Sequence, residues 1–301
     1  MVKKDKKGPV KAHESKNVKK GNIQLNTGVK PTWCPGCFNF QIFSGVMKAL
    51  EKKIKKKEDW EKYAAVTGIG CSAKMYDYLN LNGINSIHGR VPPTCLGLKT
   101  ADPNLNVLGF AGDGDAYQEG LTHTIHAARY NADYKFFVHN NQIFALTVGQ
   151  PTAVTEKGFK DKTNPQGWAY DPINPIALML SSGASCVARV FADVKQVEKV
   201  TKEALKHKGF AFIEVIQPCI VFHPDKGYQD KTYDLQEEGH DICDFHAAMK
   251  KAKEFDYNGI DEDTKIPLGV FYQEKRETFS DKFKVLKDLK KEGKTFNDIN
   301  R

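Results

Sequence analysis

The stretch Val107-Leu108-Gly109-Phe110-Ala111-Gly112-Asp113-Gly114-Asp115, answered further on by Asn140-Asn141, decides the fold. The apolar run Val107 to Ala111 reads as a short buried strand. Glycines interleaved with carboxylates follow, then a helix-like segment from Glu119 to Tyr130 and a second apolar run, Tyr134 to Val138, that stops at the two asparagines. Strand, tight turn, helix and strand make a βαβ unit, and such sheets bind ligands at the carboxyl ends of their strands. Asp113 and Asn141 therefore come side by side. A carboxylate and an amide oxygen converging on one point suit a hard cation such as magnesium, which commonly carries a di- or triphosphate. Glycine lets backbone N–H groups approach phosphate oxygens closely. A lone Gly-Asp-Gly is more often a plain turn. The paired asparagines after the next strand shift the reading to a metal–diphosphate site.

Outward from that unit, Pro31 to Cys37 opens an ordered region, and Phe43, Val46, Met47, Leu50 and Ile54 repeat at helical spacing. Tyr63 to Thr67 reads as a strand ending in Gly68-Ile69-Gly70-Cys71-Ser72. Asn82-Gly83 and His88-Gly89-Arg90-Val91-Pro92-Pro93 read as turn and loop before a short helix. Residues 149–175, rich in Gly, Pro, Thr and Asn, form a long loop of the kind that usually serves function or a partner. Helix, strand, helix and strand follow over Pro175–Ser181, Ser185–Phe191, Val194–His207 and Phe210–Ile216, the last ending at Pro218-Cys219. Ile266 to Tyr272 reads as one extended segment. This alternation predicts an α/β fold, a doubly wound, mainly parallel sheet. The expected organisation is a basic, flexible extension over 1–30, the α/β domain over 31–235, and a charged C-terminal segment over 236–301 that contacts a partner.

A chain of 301 residues with 40% hydrophobic content can bury a sizeable core. No apolar run approaches the roughly 18 residues of a membrane span, and no apolar stretch follows the lysine-rich start, so neither span nor secretory signal is expected. The first twenty residues alone carry +6 of the net +8, so the basic balance belongs to the tail rather than the body. Such a tail reads as a solubilising extension more readily than as a nucleic-acid contact. Seven cysteines without a secretion signal argue for reduced thiols in a cytoplasmic protein, with no disulfide framework.

Cys34-Pro35-Gly36-Cys37 has the spacing that lets two thiolates chelate one metal ion or cluster. Cys71 and Cys219 each lie just past a predicted strand, and parallel strands deliver their carboxyl ends to one edge. Four thiolates would meet there beside the metal–diphosphate site. Their spacing leaves structural zinc and a 4Fe–4S cluster both open. Cys95, Cys186 and Cys243 sit where a small buried residue is expected. His123, His126 and His139 invite an acid–base reading; for His123 and His126, on a predicted helix, packing is preferred.

Taken in order, Trp33-Cys34-Pro35-Gly36-Cys37, Gly68-Ile69-Gly70-Cys71-Ser72, His88-Gly89-Arg90, Gly112-Asp113-Gly114-Asp115-Ala116-Tyr117, Asn140-Asn141, Leu146-Thr147 with Gly149-Gln150, and Gln217-Pro218-Cys219 resemble the β subunits of 2-oxoacid:ferredoxin oxidoreductases over roughly residues 31–225. The resemblance implies a thiamine-diphosphate-binding fold. It implies that Asp113, Asn141 and the carbonyl of Ile143 hold magnesium, and that Gly114 and Asp115 meet the diphosphate or its immediate surroundings. Ile69, Gly70, Cys71, Ser72, His88, Ala145 and Leu146 would line the thiamine diphosphate site, with His88 and Cys71 as catalytic groups. Cys34, Cys37, Cys71 and Cys219 would hold a 4Fe–4S cluster, which favours iron–sulfur over zinc. The implied activity is oxidative decarboxylation of a 2-oxoacid to acyl-CoA and carbon dioxide, with electrons passed to ferredoxin. An α subunit is the implied partner and would supply the activating glutamate.

Two departures stand out. Relatives commonly carry glycine where this chain has Phe38, which takes positive φ only at a cost, so a local difference in the cysteine loop is expected. Many carry lysine where this chain has Val148, which weakly favours a branched or apolar 2-oxoacid over 2-oxoglutarate. Two other readings compete: a thiamine-diphosphate-dependent decarboxylase subunit with structural or zinc-binding cysteines, and a nucleic-acid binder using its lysine tail. No basic, aromatic-laced face beyond residue 30 supports the latter.

Overall fold

The computed structural model describes residues 23–225 and 227–299; the lysine-rich start, residues 1–20, lies outside them. Ten strands are β1 (Tyr63–Thr67), β2 (Asn82–Asn85), β3 (Asn106–Gly112), β4 (Lys135–Asn140), β5 (Ile143–Phe144), β6 (Gln150–Pro151), β7 (Cys186–Phe191), β8 (Ala211–Ile216), β9 (Thr232–Asp234) and β10 (Ile266–Gln273). Eight form one sheet in the order β2-β1-β3-β4-β8-β7-β10-β9, while β5 and β6 pair as a small hairpin. From β2 to β7 every pairing is parallel. Strand β10 runs antiparallel to β7, and β9 runs parallel to β10.

The apolar runs of the sequence become strands buried on both faces, as parallel sheets require. In β4, Phe136 and Val138 face one core cluster and Phe137 the other; in β8, Phe212 and Ile216 oppose Ile213 and Val215. Helices Asn39–Glu51 (α1) and Val194–Lys206, with Val46, Leu50, Val197 and Val200, cover one face. Helices Val91–Ala101, Leu121–Tyr130, Pro175–Ser181 and Phe245–Ala252 cover the other with Val91, Cys95, Ala128, Met179 and Ala252. The sheet is doubly wound.

Three expectations are corrected. Asn82-Gly83 is no turn but the start of edge strand β2. All four of its residues are exposed, so it carries no apolar signature, and a Cβ on Gly83 would press on the carbonyl of Ala65. Phe38 needs no positive φ: it is right-handed at φ −63° in front of α1, the left-handed turn falls on Gly36, and the Phe38 ring packs edge-on against Phe191. Cys95 and Cys186 are buried as expected, but Cys243 is exposed. It sits in a loop whose Asp241 carboxylate accepts from its backbone N–H.

Candidate active site at the carboxyl edge

Strands β1, β3, β4 and β8 are contiguous in the sheet, and their carboxyl ends deliver Ile69-Gly70-Cys71-Ser72, Asp113-Gly114-Asp115, Asn141 and Gln217-Pro218-Cys219 to one edge. A cleft there is lined by Ile69, Gly70, Cys71, Ser72, His88, Asp113, Gly114, Asp115, Asn141, Ile143, Ala145 and Leu146, together with Asn39, His139 and Gln217. An adjoining cavity is lined by Cys34, Cys37, Cys71 and Cys219. Cys71, Asn39, Asn141, Ala145, Leu146 and Gln217 belong to both. Every site residue singled out in the sequence is brought to one of these two spaces.

Asp113 is buried at the end of β3. Its Oδ2 accepts from the Thr152 hydroxyl at 2.6 Å and its Oδ1 from the backbone N–H of Asn141 at 3.2 Å. Burial pushes its carboxyl up to about 7, because two neutral donors do not replace lost hydration or a cation. The Asn141 Oδ1 accepts from the Ile143 N–H at 3.1 Å, fixing that amide over the same edge. Between them Gln142 takes a left-handed backbone, φ 62°.

Asp115 works differently. Its carboxylate accepts from the Gly89 N–H at 2.6 Å and the Ile69 N–H at 3.3 Å, with His88 Nδ1 at 3.3 Å. It thus staples the His88 loop to the exit of β1. Gly89 is left-handed at φ 70° and any Cβ there would strike the Glu119 carbonyl. Gly114 is equally constrained, since a Cβ would collide with the Phe144 ring. Asp115 opens a π-helical turn, Asp115–Glu119, ahead of helix Leu121–Tyr130; such turns gather at functional sites.

The cysteine cavity is tied to the cleft. Trp33 Nε1 donates to the Cys71 carbonyl at 2.7 Å, clamping the Cys34–Cys37 hairpin to the β1 exit. Cys37 Sγ accepts from Asn39 Nδ2 at 3.5 Å and Gln217 Nε2 at 3.8 Å. Burial raises the Cys37 thiol and pushes the Cys71 thiol up to about 11.

The residues fit a bound group. Ser72 Oγ, His139 Nε2 and Gln217 Oε1 are buried at the cleft and have no protein partner, which native folds rarely tolerate. Burial lowers His139 to about 3, so its ring is neutral; with Asn39 Nδ2 committed to Cys37, Nδ1 donates to Asn39 Oδ1 at 2.8 Å and Nε2 is a bare acceptor. Among the described residues no three His, Cys, Asp or Glu side chains are close enough to share one metal ion.

Sequence reasoning gives no role to Thr152, Asn39 and Gln217. Thr152 lies in a loop marked only as a whole, and Asn39 and Gln217 join the site by packing across the sheet edge. Of the histidines, His126 packs on Tyr130 with ring centroids 5.4 Å apart.

Residues 68–215 match the family profile "Thiamine pyrophosphate enzyme, C-terminal TPP binding domain", and residues 225–288 match the C-terminal profile of the pyruvate ferredoxin oxidoreductase beta subunits. The 2-oxoacid:ferredoxin oxidoreductase subunit beta of Saccharolobus solfataricus is 37% identical over 254 residues, covering 80% of this chain and 81% of the relative. The 2-oxoglutarate synthase subunit KorB of Archaeoglobus fulgidus is 32% identical over 91% of this chain and 97% of its own length. A solved structure of 2-oxoglutarate:ferredoxin oxidoreductase from Magnetococcus marinus, with 2-oxoglutarate, coenzyme A and succinyl-CoA bound, superposes with a TM-score of 0.80 at 31% identity over 90% of both chains. A doubly wound thiamine-enzyme sheet, its contiguous strand ends and these relatives agree: the chain belongs to the β subunits of 2-oxoacid:ferredoxin oxidoreductases, an oxidoreductase family.

Proposed function

We propose that this chain carries thiamine diphosphate, magnesium and one 4Fe–4S cluster, and that with an α subunit it converts a 2-oxoacid and coenzyme A to acyl-CoA and carbon dioxide, passing electrons to ferredoxin. The observation that carries the reading is adjacency: a cleft built around a buried, cation-poor carboxyl shares Cys71 with a cavity lined by four thiols. When bound, the thiamine ring supplies an electron sink for decarboxylation and the cluster a one-electron acceptor.

The chain's own residues divide the work. Asp113, Asn141 and the Ile143 carbonyl would hold the magnesium. Backbone N–H groups around Gly114 would meet the diphosphate, with Asp115 holding the surrounding loops rather than the ligand itself. Ile69, Gly70, Ser72, Ala145 and Leu146 would form the walls. His88, whose side chain is 43% exposed at the mouth of the cleft, is placed to move a proton on bound substrate. Cys34, Cys37, Cys71 and Cys219 would ligate iron, Cys71 from a position that also borders the cofactor. An α subunit would complete the cleft. In this reading residues 31–235 are the cofactor domain, residues 236–301 contact the partner, and the complex works in the cytoplasm. No described helix is long and apolar enough to cross a membrane.

Prepared without oxygen together with its α subunit, the protein is expected to be brown, to carry about four irons per chain, and to reduce a viologen with at least one of pyruvate, 2-oxoglutarate or a branched 2-oxoacid. Colourless, iron-free material, or equal failure with all three acids, would sink the reading. Zinc in place of iron with decarboxylation retained would point to the decarboxylase alternative.

A further inference from the structure

Gln142 stands between Asn141 and Ile143, and all of its side-chain polar atoms are engaged away from the cleft. Its Oε1 accepts from the Tyr228 hydroxyl at 2.5 Å, and its Nε2 donates to the Val154 carbonyl at 3.1 Å and to Glu156 Oε2 at 3.4 Å. Its carbonyl accepts from the Thr155 hydroxyl. These contacts hold a left-handed backbone that glutamine does not adopt readily.

The line continues. His223 Nε2 donates to Glu156 Oε2 at 2.8 Å, and the Phe159 ring lies over the imidazole with centroids 5.3 Å apart. His223 is 1% exposed. Its backbone N–H donates to the Cys219 carbonyl at 3.0 Å, closing an antiparallel bridge around Ile220, Val221 and Phe222. One buried hydrogen-bonded path therefore runs from the Asn141–Ile143 loop through Gln142, Glu156 and His223 to the Cys219 loop. Two of its links are made by residues from separate segments of chain, and neither Glu156 nor His223 lines the cleft or the cysteine cavity.

We infer that Gln142, Glu156 and His223 are positioning residues that lock the metal-binding loop and the Cys219 loop to each other, so that cofactor and electron acceptor keep one separation. The inference rests on the function proposed above. Electron transfer is sensitive to distance, and a site held by loops needs such outer partners to keep its geometry. The two loops should therefore report on each other.

The test compares wild type, Gln142→Leu, Glu156→Gln, His223→Leu and His223→Gln, each as the anaerobically purified complex with the α subunit. Magnesium–thiamine diphosphate affinity is read by protein fluorescence, and the reduced cluster by electron paramagnetic resonance. His223→Leu should weaken cofactor affinity on the order of tenfold although it lies outside the cleft. Gln142→Leu should change the cluster spectrum although it touches no cysteine. Glu156→Gln, nearly the same shape, should show both effects more weakly, and His223→Gln should restore much of each. If every variant affects only its own end while wild type is iron-loaded, the coupling is wrong. If wild type is iron-free, the functional reading fails on its own account, and unchanged cofactor affinity in His223→Leu then overturns the strut as well. Should His223→Leu not fold, Glu156→Gln decides between the same outcomes.

Discussion

The two edges of the sheet bury charge in opposite ways. At the amino edge, Asp133 lies 3.3 Å from Lys135, 3.7 Å from Lys99 and 3.5 Å from Lys290. Lys99 also donates to the carbonyls of Pro103 and Leu105, and Lys135 to those of His207 and Gly209. Ser185 donates to Asn131 and stands 2.7 Å from His207 Nε2. The lysines hold the Asp133 carboxyl well below its usual range, while burial brings Lys99 down to about 8. At the carboxyl edge, Asp113 has hydroxyl and amide donors but no cation, three polar atoms have no partner, and Gln142 and Val148 sit at positive φ. The Asp133 cluster at the amino edge pairs its buried charge with protein cations, although Tyr134 Oη and Arg276 Nε nearby have no partner and Asn131 is left-handed at φ 53°. At the carboxyl edge the buried Asp113 carboxyl has no cation beside it, and that difference in charge pairing is what favours the carboxyl edge as the proposed site.

Breaking the contrast at its most sensitive point, Cys219→Ala should abolish electron delivery to ferredoxin or viologen in the complex while leaving thiamine diphosphate binding in place, checked by activity beside cofactor titration. Next, Asp113→Asn should weaken magnesium–thiamine diphosphate binding by more than about a hundredfold, beyond the usual cost of losing an outer partner. It should not lower the melting temperature of the ligand-free protein at pH 8. The same substitution type at the other edge should do the reverse. Asp133→Asn leaves buried Lys99 and Lys135 without their counter-charge and should cost about 3 kcal/mol in denaturant unfolding, with cofactor affinity nearly unchanged.

The pH dependence sharpens the same point. The Asp113 pKa is raised to about 7 in the ligand-free fold, against about 4 in an unfolded chain. Its contribution to stability is therefore fully present below about pH 4 and is lost as pH rises through about 7. Magnesium held as proposed would need the carboxylate, so its binding should run the other way. Affinity for magnesium–thiamine diphosphate should climb by about tenfold per unit below the Asp113 midpoint and level off above it, and Asp113→Asn should flatten that slope. The smallest effect is at Val148, a β-branched residue at φ 72° and 63% exposed beside the cysteine cavity. Val148→Gly should stabilise the ligand-free protein by about 0.5–1 kcal/mol, the relief of a left-handed backbone less the entropy glycine adds.

Much of this is legible in the sequence because buried parallel strands write themselves as unbroken apolar runs. Tyr63–Thr67 and Pro175–Ser181 match their elements to the residue, and the strand exits carry glycines and polar residues where ligands bind. Strand β2 escapes such a reading because an exposed edge strand has no apolar pattern to show. The local distortion expected of the cysteine hairpin at Phe38 is absorbed by Gly36 instead. Thr152, Asn39 and Gln217 stay without roles because their partners Asp113, His139 and Cys37, respectively, are far from them along the chain, and only the folded edge joins them. Gln142 is hidden for a related reason, since nothing local announces a left-handed glutamine.

The reversal of β10 has a practical consequence. Because that strand runs against β7, Gln273 ends opposite Cys186, at the start of β7, and the following chain is pinned to the amino edge by Asn131 donating to the carbonyls of Arg276 and Glu277. Residues 274–299 thus hang from the side of the molecule facing away from the carboxyl-edge cleft. A dye or electrode linker grafted onto that segment would leave the carboxyl edge unobstructed, and loss of α-subunit binding on grafting would show that this part of residues 236–301 meets the partner.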